Sequence, residues 1–207
     1  MKFYVYTIGT DDKKYPVAIW SEEMKYKNTI YCPVNPGHQR AGERMEILSI
    51  ELRSPKIGDF TWTLDSDGLI TDRVAQLFKE AGLTGYELRP VIIKSVRGLS
   101  NPESFPKLWE LITAVKDGYA HPICEIYLAK ECKACDLKIY WSRNEFKYGI
   151  LVDEKRWNGS DFFRLKDCNY GLVSERVKEV VEKHKLSNIE FTPSNEYRWP
   201  EDLAKPI

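Results

Sequence analysis

Two stretches of the chain carry apolar residues at helical spacing, and each is followed by a strand-like run. Val74, Leu77, Phe78 and Ala81 fall at i, i+3, i+4 and i+7, and Val177, Val180, Val181 and His184 repeat that pattern further along. Thr71 and Ser174 stand where an N-cap hydroxyl would accept from the free N–H groups of the first turn, and Asp72 and Glu175 then suit the positive end of a helix. Gly82 offers a stop for the first helix, and residues 86–94 and 189–192 are rich in strand formers. Strands are also expected at 2–8, 45–52, 123–128 and 137–141. Residues 102–115 predict a further helix, because Asn101 precedes a proline at the first helical position and Leu108, Leu111, Ile112 and Val115 share a side. The stretch 193–207, with three prolines, reads as a surface tail.

The two helical stretches belong to an internal repeat. Residues 68–91 align with 171–194 with identity at seven of 24 positions, namely Gly, Leu, Arg, Val, Leu, Glu and Pro. Upstream, Asp59-Phe60 matches Asp161-Phe162 with one residue of slippage, and Cys32-Pro-Val-Asn35 falls opposite Cys132-Lys-Ala-Cys135. A unit met twice is too short an array for a solenoid. The expected fold is α+β, from internally duplicated strand–helix–strand units, with a mixed or antiparallel sheet and helices packed on one face. Residues 1–207 then make a single pseudo-symmetric domain or two lobes. The first copy is 1–117 (repeat core 58–94), and the second is 118–207 (repeat core 160–194) plus the tail.

Charge and composition narrow the functional classes. With 31 basic and 31 acidic side chains the formal charge is zero, which argues against binding dominated by phosphate contacts. A content of 43% hydrophobic and 30% charged residues fits a folded globular chain. No run approaches the ~20 apolar residues of a membrane span, and the opening Met1-Lys-Phe-Tyr lacks a signal-peptide core. The expected location is the cytoplasm. Five dispersed cysteines suit a reducing compartment better than a disulfide scaffold.

Cys132-x-x-Cys135 is the strongest local motif, since thiolates at this spacing on a tight turn reach one tetrahedral zinc. The repeat places the other half of such a site in the turn Cys32-Pro-Val-Asn-Pro-Gly-His38, with Asn35 opposite Cys135. Two readings follow. Either His38 completes a Cys₃His zinc set with Cys32, Cys132 and Cys135, or the thiols stay reduced and the prolines only stiffen a turn. A thioredoxin-like role is disfavoured because a strand, not a helix, follows the motif.

For nucleophilic catalysis the bases are His38, His121 and His184, none in a recognised motif. Cys124 near His121 reads as an inward residue. Asp59, Asp65 and Asp67 crowd one loop, and Asp167, Cys168 and Asn169 the matching one, as turn chemistry predicts. Walker, HExxH and GxSxG patterns are absent from the sequence. A binding protein is therefore expected rather than an enzyme. Among six tryptophans, Trp157 and Trp199 lie in polar or proline-rich surroundings and are the expected partner-binding anchors.

The order of Met1-Lys-Phe-Tyr, Tyr31-Cys-Pro-Val, Cys132-Lys-Ala-Cys135, Asp161-Phe-Phe-Arg-Leu and the stretch from Val173-Ser-Glu-Arg-Val to Phe191 resembles the double-CXXCG motif family of bacterial proteins. Members of that family are associated with polymorphic-toxin loci as immunity proteins. The chain departs from the pattern at Asn35, where the first motif has its second cysteine, and at Asp136, where the second has glycine. The resemblance implies a cytoplasmic immunity protein that binds and occludes a cognate protein toxin through roughly 800 Å² per partner. A zinc-knuckle nucleic-acid-binding or regulatory module and a small enzyme are the competing classes.

Overall fold

The computed structural model describes residues 1–9, 14–113, 115–144, 146–167 and 170–198. In chain order its strands are β1 (Phe3–Ile8), β2 (Ala18–Trp20), β3 (Tyr26–Lys27), β4 (Glu43–Arg44), β5 (Leu48–Leu52), β6 (Phe60–Trp62) and β7 (Gly68–Thr71), after which comes helix α1 (Asp72–Glu80). Then follow β8 (Glu87–Val96), β9 (Leu108–Ile112), β10 (Ile126–Cys132), β11 (Leu137–Ser142), β12 (Phe162–Arg164), β13 (Gly171–Ser174), helix α2 (Glu175–Lys183) and β14 (Ile189–Pro193). The fold is mostly β. One antiparallel sheet runs β12-β13-β1-β14, and a six-stranded sheet runs β2-β5-β8-β9-β7-β6, mixed because β5 and β8 are parallel. A parallel pair needs a long crossover, and the segment carrying β6, β7 and α1 supplies it. Two ribbons, β3–β4 and β10–β11, stand apart from these sheets.

Alternation along the strands sorts the apolar side chains into three cores. Tyr4 and Ile8 of β1, Phe162, Val173, Phe60, Ile70 and Leu111 face a central core, which Val74 and Phe78 of α1 and Val177 and Val181 of α2 also enter. The intervening residues Phe3, Phe163 and Leu172 face a second core with Phe146, Ile150 and Val152. Leu69 and Leu108 face a third with Leu48, Ile50 and Leu52.

The segments that align in the sequence hold each other by matching hydrogen bonds. Asp59, ahead of β6, accepts from the Ser187 N–H at 2.8 Å and its hydroxyl at 2.9 Å, in the turn after α2. Asp161, ahead of β12, accepts from the Thr84 N–H at 2.9 Å and its hydroxyl at 3.3 Å, in the turn after α1. Arg73 binds Asp59 and the carbonyl of His184, while Arg176 binds Asp161 and the carbonyl of Ala81. Gly85 sits in the second of these crossings at φ 86°, where a Cβ would come within 2.0 Å of the Phe162 carbonyl oxygen, so only glycine fits.

The structure corrects several expectations. The described residues of 102–115 form no α-helix. Asn101 does cap a turn by accepting from the Glu103 N–H at 3.0 Å, but that turn is a 3₁₀ turn of Pro102–Ser104. Pro106 disfavours helical geometry at Phe105, which is extended, and Leu108–Ile112 becomes β9 between β7 and β8. The start of the strand expected at 123–128 is likewise a 3₁₀ turn, Pro122–Cys124, before β10. Thr71 and Ser174 hold the N-cap positions without a side-chain cap bond. The Ser174 hydroxyl instead donates to Asp161 at 2.6 Å, because that buried carboxylate competes for it. Residues 199–207, Cys168 and Asn169 lie outside the described residues.

One charge group is buried where the β3–β4 ribbon meets the six-stranded sheet. Arg44 donates to Asp67 at 3.2 Å and to Glu110, with the Arg44 and Glu110 side chains only 7% and 8% exposed. Burial holds the Glu110 carboxyl above its usual 4.5, against the pull of Arg44. The folded chain thus binds this proton more tightly than the unfolded one does. Its contribution to stability is complete below the usual glutamate range and is lost as pH rises through the raised value.

Two outcomes are expected. Urea midpoints of wild type relative to Glu110→Gln should decline as pH rises from about 4 to 7, whereas parallel profiles would contradict the assignment. Asp161→Ala, which leaves a buried hydroxyl and an N–H without their acceptor, should cost roughly 3–5 kcal/mol in the same assay.

Candidate metal centre

Two ribbons deliver the site. The β3–β4 ladder closes the neck of the 28–42 arm, where Tyr26 pairs with Arg44 and Lys27 with Glu43, and Ile30 and Arg40 bridge above it. Gly42 permits this neck, since a Cβ there would lie 1.8 Å from the Lys27 carbonyl oxygen. At the head of the arm Asn35 accepts from the Gly37 N–H at 2.9 Å, folding Pro36–His38 into a 3₁₀ turn. The β10–β11 hairpin contributes Cys132 and Cys135. There the Cys132 carbonyl accepts from Cys135 N at 3.3 Å and Asp136 N at 2.8 Å. Asp136 has φ 54°, the left-handed conformation that glycine adopts most easily, which explains why a glycine at this place suits the knuckle.

The arms meet so that the ligating atoms of Cys32, His38, Cys132 and Cys135 all lie within 4.8 Å of one another. Cys32 Sγ is 3.7 Å from Cys132 Sγ, and Cys135 Sγ is 3.8 Å from His38 Nδ1. A tetrahedral centre with metal–sulfur bonds of ~2.3 Å has edges of ~3.8 Å, so these separations already match. The four residues form a set that fits a metal ion, and of the two readings of these cysteines the geometry favours the assembled one.

Electrostatics prepares the thiols. Burial alone would raise the Cys135 thiol, but the Leu137 N–H, Arg40 and the Cys32 and Cys132 thiols outweigh it and bring it down to about 6. Cys135 is thus a thiolate at neutral pH. At Cys132 the Ala134 N–H pulls downward, yet burial and hydrogen bonds with Cys135 and Cys32 leave that thiol raised. Arg40 points Nη1 at Cys135 Sγ from 3.7 Å and Nη2 at the Cys135 carbonyl, so with a divalent ion held by three thiolates its charge would offset their surplus. Asn35, the residue in place of a cysteine, is no ligand, and its Nδ2 lies 3.2 Å from His38 Nε2.

Other candidates are engaged elsewhere. His121 accepts from the Ile123 N–H through Nδ1, and Cys124 is buried beneath main-chain groups of Gly149 and Leu151 with its thiol pushed up by that burial. His184 ends α2 and offers its carbonyl to Arg73. Asp59 and Asp67 are held in the hydrogen bonds described above. Trp157 is half-buried, packs edge-on to Phe3 at 5.0 Å and donates its indole N–H to Ser160, and Trp199 lies outside the described residues. Arg40 carries no spacing or pattern in the sequence that would single it out, and Tyr31 and Val34, which stand in the Tyr31-Cys-Pro-Val motif, are exposed at 71% and 70%. The chain matches no model of a known protein family and none of the curated proteins with which it was compared.

Elemental analysis of protein purified without chelator should find one metal ion per chain, lost in Cys132→Ser and in His38→Ala. Asn35→Ala should keep the stoichiometry while lowering affinity by about tenfold or more, since it loosens the turn that presents His38. Affinity should fall with decreasing pH, and more steeply below about 6, where Cys135 must also surrender a proton.

Proposed function

We propose that this chain is an immunity protein, a binding module rather than an enzyme, that holds one structural zinc and neutralises a cognate bacterial toxin by occlusion. The observation that carries the reading is the closed Cys32, His38, Cys132 and Cys135 set, whose three sulfurs and one imidazole suit zinc and leave no open position for a substrate. The set also gives physical sense to the ordered motifs by which the sequence resembles the double-CXXCG family. The matched Asp59 and Asp161 crossings support a duplicated unit as its origin. Tyr31 and Val34 flank the ligand Cys32 and project into solvent, so a metal that fixes this arm also fixes an apolar contact surface. Among the described residues no helix is long and apolar enough to cross a membrane.

The test is co-expression with the product of any toxin-like gene found beside this chain's gene. Cells should survive the toxin only when the chain is present, and the two proteins should co-elute as a stable complex, weakened at least about tenfold by Tyr31→Ala with Val34→Asp. Absence of both protection and complex would refute the proposal.

A further inference from the structure

A second candidate site, made of other residues than the metal centre, lies along the seam where β1 meets β6. Two cavities, of about 200 Å³ and 410 Å³, share Tyr6, Ile8 and Trp62 and form one cleft. Together they reach the size range of small-molecule sites. The larger compartment is apolar, with Val5 and Tyr170 beside the shared aromatic walls. The smaller one is polar and has ends of opposite charge. Asp67 and Glu110 line one end and both bond the guanidinium of Arg44, while Arg89 of the neighbouring strand acts on Glu110 without an ion pair to it. Glu110 uses Oε2 for Arg44, and its other oxygen has no hydrogen-bond partner among the described residues. At the mouth stands Arg164, an exposed side chain that makes neither hydrogen bond nor ion pair among the described residues. Lys116, equally without an ion pair, is registered beside it in a backbone bridge.

A ligand must complement an anionic end, a cationic rim and aromatic walls at once. A simple anion would be repelled by Asp67 and Glu110, and a purely apolar molecule would strip water from those charges without replacing it. An ammonium, a carboxylate and a planar ring in one small molecule meet all three demands. We propose that the cleft binds a free aromatic α-amino acid, with its ammonium on Glu110, its carboxylate on Arg164 and its ring against Trp62 and Tyr6. This site uses none of the four residues of the metal centre.

The experiment is calorimetric titration of the full chain, purified without chelator, with L-tryptophan and L-phenylalanine, and with tryptamine, indole-3-propionate and AMP as controls. Saturable one-site binding of at least one of the two amino acids is expected. Tryptamine and indole-3-propionate, each lacking one charge, should bind at least about tenfold more weakly than L-tryptophan, the loss expected for a charged hydrogen bond. Arg164→Ala, at an exposed position and with unchanged thermal unfolding, should weaken the amino acid by a similar factor and leave tryptamine unaffected. Failure of both amino acids to bind, binding of AMP in their place, or equal affinity in Arg164→Ala would each overturn the assignment.

Discussion

Two carboxylates withdrawn from water hold the structure together. Asp161 is only 1% exposed, and its oxygens are satisfied by a turn and an arginine that belong to different stretches of chain. Asp59 makes the matching arrangement with the turn beyond the other helix. A buried anion without donors would cost several kcal/mol, so each aspartate fixes where the opposite turn must lie. Helices of nine residues are too short to persist alone, and these crossings join each to the hairpin ahead of the other. The central core forms in the space they enclose. From it follow the placement of β1 between β13 and β14 and the seam in which the cleft opens.

What could be read from the sequence was whatever repeats at short range. Both helices appear where the 3.6-residue period puts them, and β1 and β11 follow the alternation and aromatic content of their segments. The segment that became β9 has apolar residues at helical spacing as well as strand formers. A single proline and the vacancy between β7 and β8 decided the matter, and the second of these is a tertiary fact. The partial exposure of Trp157 could be read from its polar neighbours in sequence, whereas its ring partners Phe3 and Phe163 are remote in the chain and could not.

The Cys/His cluster was legible for an unusual reason. Aligning the chain with itself put Cys32 opposite Cys132, and the ligand set extends that correspondence with His38. Arg40 and the actual task of Asn35 were not legible, since one depends on the path of the arm and the other on a turn only three residues long. The cleft is harder still, because Glu110 and Arg164 come from different sheets and no local spacing relates them. The four metal-site residues belong to none of the three cores, so their chemistry can vary without disturbing the packing that supports them, whereas the cleft is walled in part by the core residues Ile8 and Leu111.

The position of β1 has a consequence for synthesis. It is made early, yet both its hydrogen-bonding edges belong to strands translated more than 160 residues later, since β1 ends at Ile8 and β13 begins at Gly171. On the ribosome this strand waits with Phe3, Tyr4 and Val5 uncovered while nearly all the rest of the chain appears. Such a nascent segment invites strand addition by any other extended chain nearby. The molecule cannot complete its architecture domain-first from one end, because pairing of β1 with β13 and β14 is a long-range closure and contacts of that kind form slowly.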